Sequence, residues 1–518
     1  MTADGPSGPA TSSEAGSSAS LAALGGIVAG VLAIGVATLL AALVTVLGVA
    51  GGQPSPVAAV AAAFIDRTPP WLKDFAITTF GTHDKLALLV GTLVVLAVLC
   101  AGVGLLGRWR TTAGLVAFAL VGGVGLAAVL SRPGASAGDA APTLVGVVVG
   151  LWFLAPRGRP AAGTAVPNPS RRLLLGAIVG GAAAYLGVLV GGGGARATAS
   201  RVASIRTLRL RNRVSVPPGA DLRVPGASPF IVPNDRFYRI DTAFVVPRVD
   251  ADTWRLRVTG MVDREVEIDW NTLQGKEMTE ALVTLTCVSN EVGGDLVGNA
   301  TWTGWPVREL LAMAGPRPGA DMVLQTSADG WTCGTPLAAL TDDRNALLAV
   351  RMNGEPLPFE HGFPVRVVVP GLYGYVSACK WVTELKVTTF AADQGYWTPR
   401  GWSARGPIKT ESRIDVPQPA ASLAAGRVAV AGVAWAQHRG ISKVEVQIDD
   451  TPWQQARLAA DASIDSWRQW VLEWDATRGS HTIRVRATDG TGQVQPETPA
   501  PPAPDGASGW HTVTVRVQ

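Results

Sequence analysis

The sequence predicts a multi-domain protein: an α-helical transmembrane bundle of five spans, then an α+β domain, then a β-sandwich. Three observations carry this reading. Long uncharged apolar runs crowd the part of the 518-residue chain before residue 195. From Ser228, short β-type runs alternate with helical pieces without regular βαβ spacing. After Gly395, strict apolar–polar alternation takes over, with turn residues between the runs.

Residues 1–20 read as a disordered cytoplasmic tail, and 21–194 as the membrane domain. Its apolar stretches are 21–48, 86–107, 113–130, 140–155 and 173–194. A helix needs about 20 apolar residues to cross the hydrocarbon core, so the fourth is the weakest span. Arg108 and Arg110 follow the second stretch, and Arg157, Arg159, Arg171 and Arg172 separate the fourth from the fifth. Positive-inside counting therefore predicts a multi-pass cell-membrane protein whose carboxyl-terminal half lies outside the cytoplasm. The loop 57–80, with Trp71, is expected along the outer membrane face. Ser170-Arg171-Arg172-Leu-Leu-Leu resembles a twin-arginine export signal, a route for folded proteins; the alternative is two arginines obeying the positive-inside rule. The five histidines, His83, His361, His438, His481 and His511, all lie outside the spans, so no haem is expected there. The membrane part reads as an anchor, or as a dock for an electron-carrying partner.

Residues 195–227, polar and rich in arginine, read as a linker, followed by domains over 228–394 and 395–518. Strands are expected around Trp254, Val266, Leu282, Met322, Val365 and Leu385, and helices over 307–314 and 336–340. In the last domain, runs begin near Val428, Lys443, Trp470, His481 and Thr512, with hairpin turns at Asp449-Asp450 and Asp489-Gly490. With 44 Lys and Arg against 40 Asp and Glu, the dispersed charge argues against nucleic-acid binding. Four cysteines are too few for a disulfide scaffold.

Cys287 is the leading chemical candidate. It ends an apolar run, Ala-Leu-Val-Thr-Leu-Thr, and a glycine-rich turn and Trp302-Thr-Gly-Trp-Pro follow. His361, Arg366 and Lys380 come later. A thiolate suits a soft metal, and cationic side chains suit an anionic organic cofactor.

With those residues in view, 228–518 resembles the sulfite oxidase family of mononuclear molybdenum enzymes. The matching stretches are Asn234-x-x-Phe237-Tyr238, Trp254-x-Leu-x-Val-x-Gly260, Cys287 and Asn353-Gly-x-Pro-Leu-Pro. They continue with His361-Gly-Phe-Pro-Val-Arg366, Lys380-Trp381 and a run from Val444 to Trp453. The resemblance implies a molybdopterin domain followed by an immunoglobulin-like domain of the dimerising type. It implies that Cys287 is the one protein ligand to molybdenum. It also implies that His361, Arg366 and Lys380 hold the pterin and its phosphate, while Asn234, Phe237 and Tyr238 pack against the pterin.

This chain departs from sulfite-oxidising members. They follow the cysteine with Gly-Asn-Arg-Arg, where this chain has Val288-Ser-Asn-Glu291. Trp331 stands at the best match to their active-site tyrosine, and Val376-Ser-Ala-Cys lacks the arginine before Lys-Trp. A pocket for an anionic substrate needs cationic donors. The expectation is therefore oxygen-atom transfer that reduces an S- or N-oxide, small or protein-bound, with an external electron carrier or quinol as partner. Glu291, Trp331, Tyr373 and Tyr375 are candidate pocket residues. Sulfite oxidation is the alternative, and a cofactor-free adhesion or scaffold protein is the rival from another class. Cys333 and Cys379 are either a disulfide pair or two buried thiols, and a homodimer is left open by the sandwich.

Overall fold

The computed structural model describes residues 12–69, 72, 79, 84–156, 169–202 and 208–518. Trp71, His83, Arg157, Arg159 and the first eleven residues of the expected tail lie outside these. The described chain divides into two compact units, 1–201 with 242–245, and 202–241 with 246–518.

In the first unit, helices α1 (Ser12–Val46), α2 (Pro56–Arg67), α3 (Asp84–Trp109), α4 (Thr111–Leu130), α5 (Ala137–Leu154) and α6 (Pro169–Val202) follow in order. All but α2 are long and apolar enough to cross a bilayer, over Ser18–Val46, Lys85–Trp109, Thr111–Leu130, Ala137–Leu154 and Ser170–Gly191. Val28, Ala29 and Leu32 of α1 share a core with Cys100, Val103, Phe118 and Phe153. Glycines let the backbones meet there: a Cβ at Gly26 would collide with the Cys100 carbonyl, and one at Gly104 with that of Ala22.

Three expectations need correction here. Helix α1 begins at Ser12, inside the expected tail. Part of the expected loop 57–80 is helix α2, capped by Ser55 with Pro56 in its first turn; its Ala59 packs on Ala128 and Val129. Helix α6 continues through Val202 into the expected linker. Asp139, fully buried in the first turn of α5, accepts from the Gly51 and Gly52 N–H groups at 3.0 and 3.1 Å and from the Ser136 hydroxyl at 2.7 Å. These bonds satisfy donors that a helix start and a turn otherwise leave bare.

The second unit holds four sheets. One runs Arg209–Leu210, Glu277–Thr286, Val297–Pro306, Leu347–Met352, Arg366–Val368, with Glu355–Pro356 paired beside Leu347–Met352. A second runs Val266–Asp269, Arg255–Gly260, Val382–Thr388, Met322–Ser327, Thr332–Pro336. Helix Val307–Ala314 has the expected bounds, and its partner is Leu337–Thr341. The remaining two sheets belong to the β-rich carboxyl-terminal part. One comprises Glu411–Val416, Gly426–Trp435, Arg468–Ala476 and Arg457–Leu458; the other comprises Ser422–Leu423, His511–Val517, Gly479–Asp489, Ile441–Ile448 and Gln454–Gln455. Strands from both, including Val430, Trp470, Val446, Ile483 and Val515, close one apolar core. Asp449-Asp450 is the turn the sequence predicts. Asp489-Gly490 instead opens a long loop, because the next strand of that sheet starts only at His511.

Residues 208–227 are no free linker. Arg209–Leu210 pairs in parallel with Glu277–Met278, and Ala220 is wholly buried in the core that Leu208, Leu210 and Val214 flank. The expected boundary at 394 is no break in packing either, since Val433, Trp435 and Trp467 enter the same core. Trp467 donates to the Phe230 carbonyl at 2.9 Å, and Gln437 donates to the Thr284 carbonyl at 2.9 Å.

Candidate active site

Cys287 emerges from the end of strand Glu277–Thr286. Its N–H donates to the Leu296 carbonyl at 2.9 Å, and its own carbonyl accepts from Asn290 at 3.1 Å, closing a tight loop. The loop cannot carry a side chain at Gly293, where φ is +81° and a Cβ would strike the His511 ring. His511 Nδ1 in turn accepts from the Ile414 N–H at 2.9 Å, so the proton sits on Nε2. Burial holds His511 neutral by lowering its pKa to about 4. The histidine thus props the cysteine loop from the carboxyl-terminal part. Burial pushes the Cys287 thiol up; Ser289 hydrogen bonds and the Lys380 charge pull the other way.

One segment, 234–241, drapes over the remaining site residues. Asn234 accepts from Asn353 at 2.8 Å and donates to Glu355 at 3.2 Å, anchoring the segment to the turn beside strand Leu347–Met352. Phe237 stacks on Tyr238 with centroids 5.2 Å apart and meets Trp302 and His361 edge-on at 5.9 and 5.7 Å. Burial raises the Tyr238 phenol, with the Cys287 charge acting in the same sense and Arg366 opposing it. Tyr238, Cys287 and Arg366 are therefore electrostatic neighbours.

The His361–Arg366 block turns sharply through Gly362, φ +111°, where a Cβ would lie 2.9 Å from Arg366 Cβ. His361 is buried; its Nε2 lies 3.0 Å from the Asn234 carbonyl and so carries the ring proton. Burial, with the charges of Arg366 and Lys380, lowers its pKa to about 4, so it is neutral at pH 7. Arg366, 3 % exposed, donates to the His361 carbonyl at 3.2 Å and lies 4.9 Å over the Trp302 ring. Burial lowers it to about 10, leaving it charged at neutral pH. Lys380 donates to Asp241 at 3.0 Å, and Arg239 reaches the same carboxylate oxygen at 3.0 Å. Burial pulls Lys380 down to about 8 against the attraction of Asp241, and Arg366 adds to the depression.

The structure thus brings Asn234, Phe237, Tyr238, Cys287, His361, Arg366 and Lys380 into one neighbourhood. The other candidates fare differently. Trp331 packs partly buried on the core, on a hairpin tied to the site by the Ala328 N–H bond to the Trp381 carbonyl at 2.9 Å. Glu291 is exposed on the cysteine loop. Tyr373 and Tyr375 flank Gly374, whose Cβ position lies 3.8 Å from the Thr286 carbonyl and 4.0 Å from the Tyr238 hydroxyl. The Tyr373 hydroxyl accepts from Lys409 N–H at 3.4 Å, and that of Tyr375 donates to the Ser403 carbonyl at 2.7 Å. Both phenols seek partners in the segment leading to the carboxyl-terminal part. Cys333 and Cys379 are free, fully buried thiols, and the Cys379 thiol donates to the Lys380 carbonyl at 3.6 Å. His438 and His481 pair with Asp465 and Asp449 at 3.2 and 2.8 Å.

Sequence reasoning missed Trp302 as the floor of Arg366 and Asp241 as the partner of Lys380. Trp302 stands in the stretch quoted beside Cys287, but an aromatic on a strand carries no signal of what lies above it. Arg239 and Asp241 stand outside the matched stretches, just after Asn234-x-x-Phe237-Tyr238. Molybdopterin, an anionic group, fits these residues: Arg366 Nε is buried and has no hydrogen-bond partner among the described residues, and Lys380 and Arg239 share the one carboxylate of Asp241.

Residues 243–397 match the family model described as the oxidoreductase molybdopterin binding domain. The chain is 29% identical over 340 residues to the mitochondrial sulfite oxidase of Mus musculus, covering 56% of this chain and 62% of that protein. It is 32% identical over 194 residues to NADH nitrate reductase 1 of Oryza sativa subsp. japonica, covering 32% of this chain and 21% of that protein. The chain therefore spans less than two thirds of the mouse relative. A crystal structure of a sulfane dehydrogenase from Paracoccus pantotrophus aligns with a TM-score of 0.49 at 24% identity, covering 56% of this chain and 82% of that one.

Proposed function

We propose that this chain, which carries a molybdopterin-binding oxidoreductase domain over 243–397 and is similar to sulfite oxidases, is a membrane-anchored, extracytoplasmic molybdopterin oxidoreductase of the sulfite oxidase family that reduces an S- or N-oxide. The observation that carries the proposal is the buried Arg366, held between the His361 carbonyl and the Trp302 ring, with Lys380 paired to Asp241 and the buried Cys287 within reach of the Lys380 charge. When bound, molybdenum supplies two-electron chemistry coupled to oxygen-atom transfer. Cys287 would give up its proton to ligate the metal, which the Lys380 charge favours. Arg366 would use its free Nε–H and Lys380 its ammonium on the cofactor's anionic groups. Neutral His361 would donate to the Asn234 carbonyl, keeping segment 234–241 folded over the pterin.

A neutral oxide is favoured because the stretch after Cys287, Val288-Ser-Asn-Glu291, carries a carboxylate and no arginine, and Glu291 is exposed on that loop. Sulfite oxidation is the second reading; the mouse relative's name favours it. Arg171 and Arg172 in the first turn of α6 support export of the folded, loaded domain. The two carboxyl-terminal sheets over one core support an immunoglobulin-like sandwich with scope for a homodimer. Electrons would come from an external carrier or a quinol.

The test is molybdenum and pterin content of the full chain, with Cys287→Ser beside it, followed by turnover of sulfoxides, N-oxides and sulfite with artificial electron donors and acceptors. About one molybdenum per chain, with activity lost in the folded serine variant, is expected from a single thiolate ligand. Full activity of Cys287→Ser would refute the assignment, and turnover of sulfite alone would reverse the proposed direction.

A further inference from the structure

We propose that Asp241 is the positioning residue that aims Lys380, and through it secures the anionic part of the molybdopterin cofactor. The inference rests on the functional reading above. It starts from a difference between the two buried cations. Arg366 is oriented by packing, between the His361 carbonyl and the Trp302 face. Lys380 carries a point charge on a flexible four-carbon stem. The tight approach at Gly362, with a Cβ position 3.2 Å from Lys380 Cα, pins its main chain but leaves the ammonium to be directed by something else. Asp241 Oδ2, 3.0 Å away, provides that direction, with the Trp381 ring 5.5 Å distant on another side.

The carboxylate is placed for this work. Its side chain is 6% exposed, and a buried carboxylate is costly unless paired. Lys380 and Arg239 both bind the same oxygen, so the charge is satisfied from two sides and its position is fixed. Asp241 also closes segment 234–241, whose Asn234, Phe237 and Tyr238 are seated over the site. The ammonium and that cover are thereby tied together: moving one drags the other. Without the carboxylate, Lys380 would lose its 3.0 Å partner and keep the repulsion of Arg366 and Arg239.

The test is a double-mutant cycle on the full chain, loaded with cofactor in cells: wild type, Asp241→Asn, Lys380→Gln and the two together, with Asp241→Glu as the conservative variant. The readout is the rate at which molybdenum and fluorescent pterin leave the protein on dialysis. Asp241→Asn is expected to speed release by roughly 10–100-fold, the range for losing a group that orients a ligand. In the Lys380→Gln background the same change is expected to add nothing, and Asp241→Glu to restore retention to within a few-fold. If Asp241→Asn does not fold, Asp241→Ser takes its place in the cycle. Release unchanged from wild type overturns the inference. Slower release overturns it too, since it would mean that Asp241 merely cancels charge. Independent, additive effects in the cycle would show a role that does not run through Lys380. A wild-type chain free of molybdenum and pterin would sink the functional reading itself, whereas a loaded wild type with a silent Asp241→Asn sinks this inference alone.

Discussion

Replacing Gly362 with alanine should damage the protein by two separable routes. The backbone there has φ +111°, and an L-residue in left-handed territory costs about 1–2 kcal/mol. The new methyl would also sit 2.9 Å from Arg366 Cβ and 3.2 Å from Lys380 Cα, on main-chain-proximal atoms that cannot rotate aside. Overpacking of this kind adds about 1–3 kcal/mol, for a total of roughly 2–5 kcal/mol. Gly354 is the matched control, with φ +78° and nothing within 4 Å of its Cβ position. Gly354→Ala should therefore show only the backbone cost of about 1–2 kcal/mol. The assay is urea unfolding of both variants in the full chain, followed by tryptophan fluorescence, with molybdenum content measured in parallel. Gly362→Ala should unfold at lower urea than Gly354→Ala and retain less metal. Equal midpoints with equal metal content would refute the idea that Gly362 sets the spacing of the two cations.

Two further outcomes follow from the same geometry. His511→Leu should leave the Ile414 N–H without its acceptor, costing about 1–3 kcal/mol, and loosen the loop after Cys287; unchanged hydrogen exchange at 288–294 would contradict the propping role. Lys380 has its pKa lowered to about 8, so its charged form, which attracts the cofactor, is lost as pH rises through that value. Cofactor release, measured as freed pterin, should be slow at pH 6–7 and accelerate above about pH 8; a flat profile in the wild type, or one rising toward acid, would exclude Lys380 as an anion holder.

Much of this architecture was legible in local sequence. Helix 307–314 and the strands around Val266, Met322 and Leu385 appear where periodicity puts them, because each buries one face and local pattern reports burial. Strand Val297–Pro306 was not legible. Buried on nearly all its residues and interrupted by Gly298 and Gly304, it shows no alternation, and it looks like a turn until Glu277–Thr286 and Leu347–Met352 flank it. Site residues divided similarly. Cys287, His361 and Arg366 stand out in the sequence as candidates by motif, whereas the hydroxyl partners of Tyr373 and Tyr375, in the segment 403–409, come only from the fold.

By itself the sequence determined the order of parts: an apolar helical half, then a mixed domain with its thiol and cations, then an alternating β-rich end. These depend on which residues stand near each other in the chain. Only the tertiary structure decided that Asp241 meets Lys380 across 139 positions, that Trp302 lies beneath Arg366, and that His511 braces the loop after Cys287. Charge pairing and close packing act through space and decay within a few ångströms, so no local pattern along the chain encodes them.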